Sequence, residues 1–202
     1  MAETIVMIHG MYGGSWYWEN YKNFLEQRGF RCHTPTLRYH DMDPNDKPDL
    51  RLGTTSLLDY ARDLEEYIHN LDQKPFLMGH SMGGLLAQIL GARGLAKGLV
   101  LLTPASPSGI NALKYSVIKS FWLLDFKGGS KVDQSNVSCP VLVVAGTEDR
   151  ITPASVVRKV ANKYDAVSTY KEFENHAHWV IAEPGWEEIA EFASDWLNQI
   201  SN

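Results

Sequence analysis

A chain of 202 residues is long enough to bury a sizeable core, and its 44% apolar and 21% charged residues are ordinary for a folded domain. A net charge of −5, with no run of Lys or Arg, argues against nucleic acid or anionic membrane as the main partner. No stretch approaches the ~20 apolar residues of a membrane span, and Met1-Ala2-Glu3-Thr4 offers no basic segment or cleavage site, so a cytoplasmic location is expected.

Apolar runs and helical patterns alternate along the whole length, which predicts a parallel sheet covered by helices. The first strand is Ile5-Val6-Met7-Ile8. A helix from Trp16 to Gln27 should stop at Gly29, and a short strand, Arg31-Cys32-His33-Thr34, ends at Pro35. The long polar loop from Thr36 to Thr55 carries Asp41, Asp43, Asp46 and Asp49. Its start resembles a calcium loop, but Asp46 and Leu52 stand where glycine and a bidentate glutamate would be needed, so a solvated loop is expected. Ser56-Leu57-Leu58-Asp59 reads as a capping box opening the second helix. The run Pro75-Phe76-Leu77-Met78 leads into Gly79-His80-Ser81-Met82-Gly83 and then a third helix. Leu99–Leu102 and Val141–Val144 are the next strands, Pro153 should be the first residue of a helix, and a sixth strand near Val167–Phe173 precedes a helix over Gly185–Ile200. The middle strands are apolar at consecutive positions, as strands buried on both faces are. Right-handed crossovers predict the order 2-1-3-4-5-6. Cys32 and Cys139 then lie too far apart for a disulfide and should remain reduced, which fits a reducing compartment.

Gly-x-Ser-x-Gly between a strand and a helix has chemical meaning that the bare pattern lacks. So sharp a turn leaves no room for a Cβ at Gly79 or Gly83, and it lifts the Ser81 hydroxyl above the carboxyl end of its strand. A serine hydroxyl becomes a useful nucleophile only when a histidine takes its proton and a carboxylate orients that histidine. Both residue types stand on the correct loops. The turn Gly146 to Pro153 holds Glu148 and Asp149, and the loop Glu174 to Trp179 holds His176 and His178.

Four features in this order resemble the α/β-hydrolase superfamily: the strand ending in His9-Gly10, the serine turn, Gly146-x-x-Asp149-x-x-x-Pro153, and the late His178-Trp179. The resemblance runs from Ile5 to Leu197 and implies a three-layer fold with an active site above the strands' carboxyl ends. It assigns Ser81 as nucleophile, His178 as general base and acid, and Asp149 as orienting carboxylate, with His176 and Glu148 as rivals. The backbone amides of Met11 and Met82 would form the oxyanion hole. His9 and His80 are expected to be structural. No metal and no cofactor are implied.

Compared with the family, the leading hairpin is missing and the insertion after the fourth strand, Ala105 to Ser138, is short. Within a single domain over residues 1–202 that stretch reads as a reduced cap, with Tyr115, Phe121 and Trp122 on one helix-like segment. Gly128-Gly129-Ser130 fits either a natural loop or a joint left by excised cap helices. An exposed patch there would permit weak self-association. Tyr12, Trp16, Trp18 and Trp179 are further candidates for lining the pocket. The implied activity is hydrolysis of small carboxylic esters through an acyl-enzyme. Related chemistry (hydroxynitrile lyase, perhydrolase or C–C hydrolase) and a non-catalytic ligand-binding role remain as alternatives. Against the lyases, Trp179 stands where they carry a lysine.

Overall fold

The six expected strands form as β1 (Thr4–Ile8), β2 (Arg31–His33), β3 (Phe76–His80), β4 (Gly98–Leu102), β5 (Val141–Gly146) and β6 (Ser168–Phe173). They form one sheet in the order β2-β1-β3-β4-β5-β6, every pair parallel. The structure is a computed structural model that describes residues 2–41, 43, 47–110 and 131–201.

Alternation along each central strand sends side chains into two cores. Val6, Ile8, Leu77, Leu99, Leu101, Val141 and Val143 pack beneath α2 (Leu57–His69), α3 (Met82–Ala92) and α4 (Ala154–Ala161). Ile5, Met7, Phe76, Met78, Val100, Leu102, Leu142 and Val144 pack on the opposite face, against α1 (Glu19–Glu26) and α5 (Trp186–Ser201). Burial on both faces explains why these strands read as continuous apolar runs. At ~25 cal/mol per Å² of apolar surface, such side chains supply most of the drive to fold.

The helix ends follow the local chemistry. Ser56 accepts from the Asp59 amide while the Asp59 carboxylate accepts from the Ser56 amide, which completes the expected capping box. At the end of α1 the Phe30 amide reaches Leu25 O and the Gly29 amide reaches Glu26 O, with Gly29 at φ +90°. That paired closure needs a residue able to adopt a left-handed conformation.

Two local expectations differ from the structure. Ser15–Trp18 forms a separate 3₁₀ turn, and α1 begins only at Glu19. Tyr17 and Trp18 are both buried, and adjacent residues cannot share one α-helical face, so the chain tightens there. Pro153 is the residue before α4, held extended at ψ 144°, rather than its first helical residue; it still accepts from the Val156 and Val157 amides. The expected cap helix with Tyr115, Phe121 and Trp122, and the Gly128-Gly129-Ser130 joint, lie outside the described residues. Among the described residues no helix is long and apolar enough to cross a membrane. Cys32 and Cys139 are both free.

Candidate active site

The turn from β3 to α3 forces Ser81 to φ +55° and ψ −118°, a conformation that side chains rarely adopt. Glycine makes the turn sterically feasible. A Cβ at Gly79 would collide with the Gly83 carbonyl, and one at Gly83 with the Ile8 carbonyl. Backbone bonds hold the strained residue: the Ser81 amide donates to Leu102 O at 3.1 Å, and Ser81 O accepts from the Gly84 and Ala105 amides.

Three of the predicted side chains meet above the sheet. His178 Nε2 lies 3.0 Å from Ser81 Oγ, and His178 Nδ1 lies 2.8 Å from Asp149 Oδ2. With Asp149 ionised, Nδ1 carries the proton and Nε2 presents a lone pair to the serine. Asp149 is buried, yet its two oxygens are fully used. Oδ1 accepts from the Ile151 and Thr152 amides at 2.7 and 2.8 Å, and Oδ2 accepts from His178 and from Thr152 Oγ1 at 2.8 Å. Burial alone would raise its pKa, but the hydrogen bonds from His178 and Thr152 outweigh it and hold the carboxyl below its ordinary value.

The rivals have other partners. His176 donates to Glu183 Oε1 at 2.9 Å, and the same oxygen accepts from the Ala177 amide. Glu148 donates its amide to His176 O at 2.8 Å, so the acid turn and the histidine loop are joined through main chain. A Cβ at Gly146 would strike the His176 carbonyl, which explains a glycine beneath that junction.

The loop after β1 is fixed by neutral histidines. His9 Nδ1–H donates to Gly10 O at 2.8 Å, and its Nε2 accepts from the Leu37 amide at 3.0 Å. His40 bonds Gly13 O and the Tyr60 hydroxyl. Burial lowers the His9 pKa to about 4. His80 Nε2–H donates to His178 O at 2.8 Å, and burial, aided by His178, lowers its pKa to about 3. Met11 stands in the turn after Gly10. Met82 opens α3, where first-turn amides have no intrahelical acceptor.

The candidate lining residues separate. Tyr12 is 67% exposed, and Trp16, 44% exposed, borders a cavity of about 470 Å³ that also involves Thr36, Asp41 and Asp43. Trp179 packs edge-on against Tyr17 and His80. Trp18 is fully buried in the core against Tyr21. Among the described residues no group of three or more His, Cys, Asp or Glu could hold a metal ion.

Sequence reasoning missed Thr103, Thr152 and Glu183. Thr152 could have been found, since a hydroxyl three residues after an aspartate suits a side-chain turn. Nothing in the pattern around Thr103 marks it.

Comparison with known proteins agrees with this geometry at the level of fold. The monoacylglycerol lipase of Paleococcus ferrophilus superimposes with a TM-score of 0.78 at 22% identity, covering 98% of this chain and 94% of the lipase. A thermophilic esterase from Thermogutta terrifontis gives 0.75 at 18% identity over 100% and 92% of the two chains. A pyrethroid hydrolase from Sphingobium faniae gives 0.74 at 17% identity, with 98% of each chain covered. No curated protein sequence is significantly similar to the chain. The model of the alpha/beta hydrolase family matches residues 5–132, well over half of the sequence, and the chain belongs to that family.

Proposed function

We propose that the protein is a serine hydrolase that cleaves carboxylic esters through an acyl-enzyme. The observation that carries this reading is the unbroken chain of hydrogen bonds from Ser81 Oγ through His178 to the buried Asp149 carboxylate. In this mechanism Ser81 Oγ attacks the ester carbonyl carbon while His178 Nε2 takes its proton. The carbonyl oxygen becomes an oxyanion stabilised by the Met11 and Met82 amides. His178 then gives the proton to the departing alkoxide, and the C–O bond to the alcohol breaks. Water, deprotonated by the same nitrogen, attacks the acyl carbon; the bond to Ser81 Oγ breaks, His178 returns the proton to that oxygen, and the acid is released. Asp149 keeps its charge throughout and stabilises the imidazolium.

The lipase and the esterase of similar fold support ester chemistry as the starting point. A short insertion after β4 favours small, accessible esters over large ones. The test is a panel of p-nitrophenyl esters of increasing acyl length, run beside Ser81→Ala. Hydrolysis that falls with chain length and vanishes in the variant is the expected result. An inert panel, or turnover that survives in the variant, would sink the reading.

A further inference from the structure

One short segment, Leu102 to Ala105, is bonded directly to Ser81 and His178 of the proposed triad and reaches the third member, Asp149, through Thr152. Leu102 O accepts from the Ser81 amide, and the Ala105 amide donates to Ser81 O at 2.9 Å. Between them, Thr103 Oγ1 donates to His178 O at 3.2 Å, while Thr103 O accepts from Thr152 Oγ1 at 3.1 Å. Thr152 Oγ1 in turn stands 2.8 Å from Asp149 Oδ2 and 3.3 Å from His178 Nδ1.

Thr103 is also in an unfavourable conformation, with φ +41°. A β-branched side chain in that region is an outlier that persists only where its surroundings over-determine it. Here they do. The residue is completely buried, its amide bonds Val144 O at 2.9 Å, and its hydroxyl and carbonyl are both committed. A complete lack of exposure also means that Thr103 does not touch substrate.

Counting protons defines what Thr152 can do. Its hydroxyl has one hydrogen and two acceptor-only neighbours, Thr103 O and the ionised Asp149 Oδ2. Turned toward Asp149, it adds a fourth donor to the carboxylate, beside the Ile151 and Thr152 amides and His178. Turned toward Thr103 O, it leaves a lone pair facing the Nδ1–H of His178. The hydroxyl can therefore follow the charge as His178 alternates between neutral and protonated, while Asp149 keeps its bonds from His178 and the two amides in either orientation.

We infer that Thr103 and Thr152 are positioning residues that hold Asp149 and His178 as one unit, so that turnover depends on both hydroxyls and substrate binding does not. The inference rests on the proposed triad. Its measurement covers Thr152→Val, Thr103→Val and Thr103→Ala, with Thr103→Ser and Thr152→Ser as conservative replacements. Each variant is followed by ester kinetics, by melting temperature and by the proton resonance of His178 Nδ1–H. Loss of either hydroxyl should lower kcat on the order of tenfold with KM unchanged, and serine should restore it to within about threefold. Because both act on one geometry, the double loss should be no worse than the more severe single loss. The Nδ1–H resonance should move upfield as the bond to Asp149 weakens. Thr103→Ala removes the hydroxyl without placing a methyl against the His178 carbonyl, so the inference stays testable if valine does not fold there. Wild-type kcat in Thr103→Ala and Thr152→Val, losses confined to KM or melting temperature, or strictly additive losses would each overturn it. The resonance is read without turnover. An inert wild-type enzyme whose resonance still moves in the variants would therefore count against the proposed function and for the positioning pair.

Discussion

The two ends of the parallel strands use the same chemical alphabet for different purposes. At the carboxyl ends stand Ser81, Thr103 and Asn175, three of the four non-glycine residues with positive φ among the described residues. His9, His40, His80, Thr103, Asp149, Thr152 and His176, most of the buried polar side chains, are there too. At the amino ends the chain turns through Gly29 and Gly94, whose left-handed conformations face open space. One end stores strain and buried polarity, which cost stability and need dense hydrogen bonding to survive. The other end only reverses the chain. The contrast shows where natural folding rules are relaxed in favour of chemistry.

The largest effect should come from the atom that the carboxyl end exists to present. Ser81→Ala is expected to reduce ester turnover by ~10⁴-fold while leaving the melting temperature within a few degrees, because no packing depends on the hydroxyl. Retention of more than about a tenth of wild-type turnover would move the nucleophile elsewhere. His178→Ala should be nearly as damaging. His176→Ala should keep a measurable fraction of activity and instead lose stability, about 1–3 kcal/mol, since it strips a partner from the half-buried Glu183 carboxylate. The opposite ranking of the two histidine variants would exchange their roles.

Backbone geometry comes next in size. In Gly83→Ala the added methyl meets the Ile8 carbonyl, part of β1 and unable to retreat. Chemical denaturation should show a loss above about 3 kcal/mol, or no soluble protein at all. A variant as stable as the parent would mean that the serine turn is looser than this packing requires.

Much of this contrast was legible before any coordinates. Consecutive apolar residues in Leu99–Leu102 and Val141–Val144 can satisfy only a strand covered on both sides, which led directly to the layered sheet and its order. The serine turn was legible because glycine spacing reports steric demand at fixed positions. Two kinds of information were not. Ser15–Trp18 departs from a single helix because burial of adjacent aromatics is decided by tertiary packing, not by periodicity. Thr103 was silent because its importance lies in bonds to residues 49 and 75 positions away, which leave no local pattern.

A smaller effect separates the ends by pH. His9 and His80 are held neutral, with pKa values of about 4 and about 3 against an ordinary 6.5, chiefly by burial. An unfolded chain takes up both protons as pH falls through 6.5, whereas the folded protein does not. Stability should therefore be greatest above that value and decline as pH falls toward 4, by about 1.4 kcal/mol per pH unit for each histidine. Asp149, held below its ordinary value, adds a decline of the same sign at lower pH. Urea unfolding at pH 7, 6 and 5 measures the slope, and His80→Asn should remove about half of the part due to this pair. An unchanged slope in that variant would show that His80 is not the buried base described here.

The smallest effect belongs to the amino end and completes the comparison. Gly29 has φ +90° and nothing within 4 Å of where a Cβ would be placed. Gly29→Ala therefore meets no collision, and its cost is conformational alone. A left-handed residue with a side chain is disfavoured by about 1–2 kcal/mol, partly offset because alanine also reduces the freedom of the unfolded chain. The closure of α1 through Phe30 and Leu25 should persist, since it is made by backbone atoms. The variant should unfold at slightly lower denaturant with an unchanged slope and keep full ester turnover, because the turn lies at the far end of the sheet from Ser81. If Gly29→Ala instead cost as much as Gly83→Ala, or impaired turnover, glycine would serve the same purpose at both ends. The division between a chemical end and a merely connecting end would then be false.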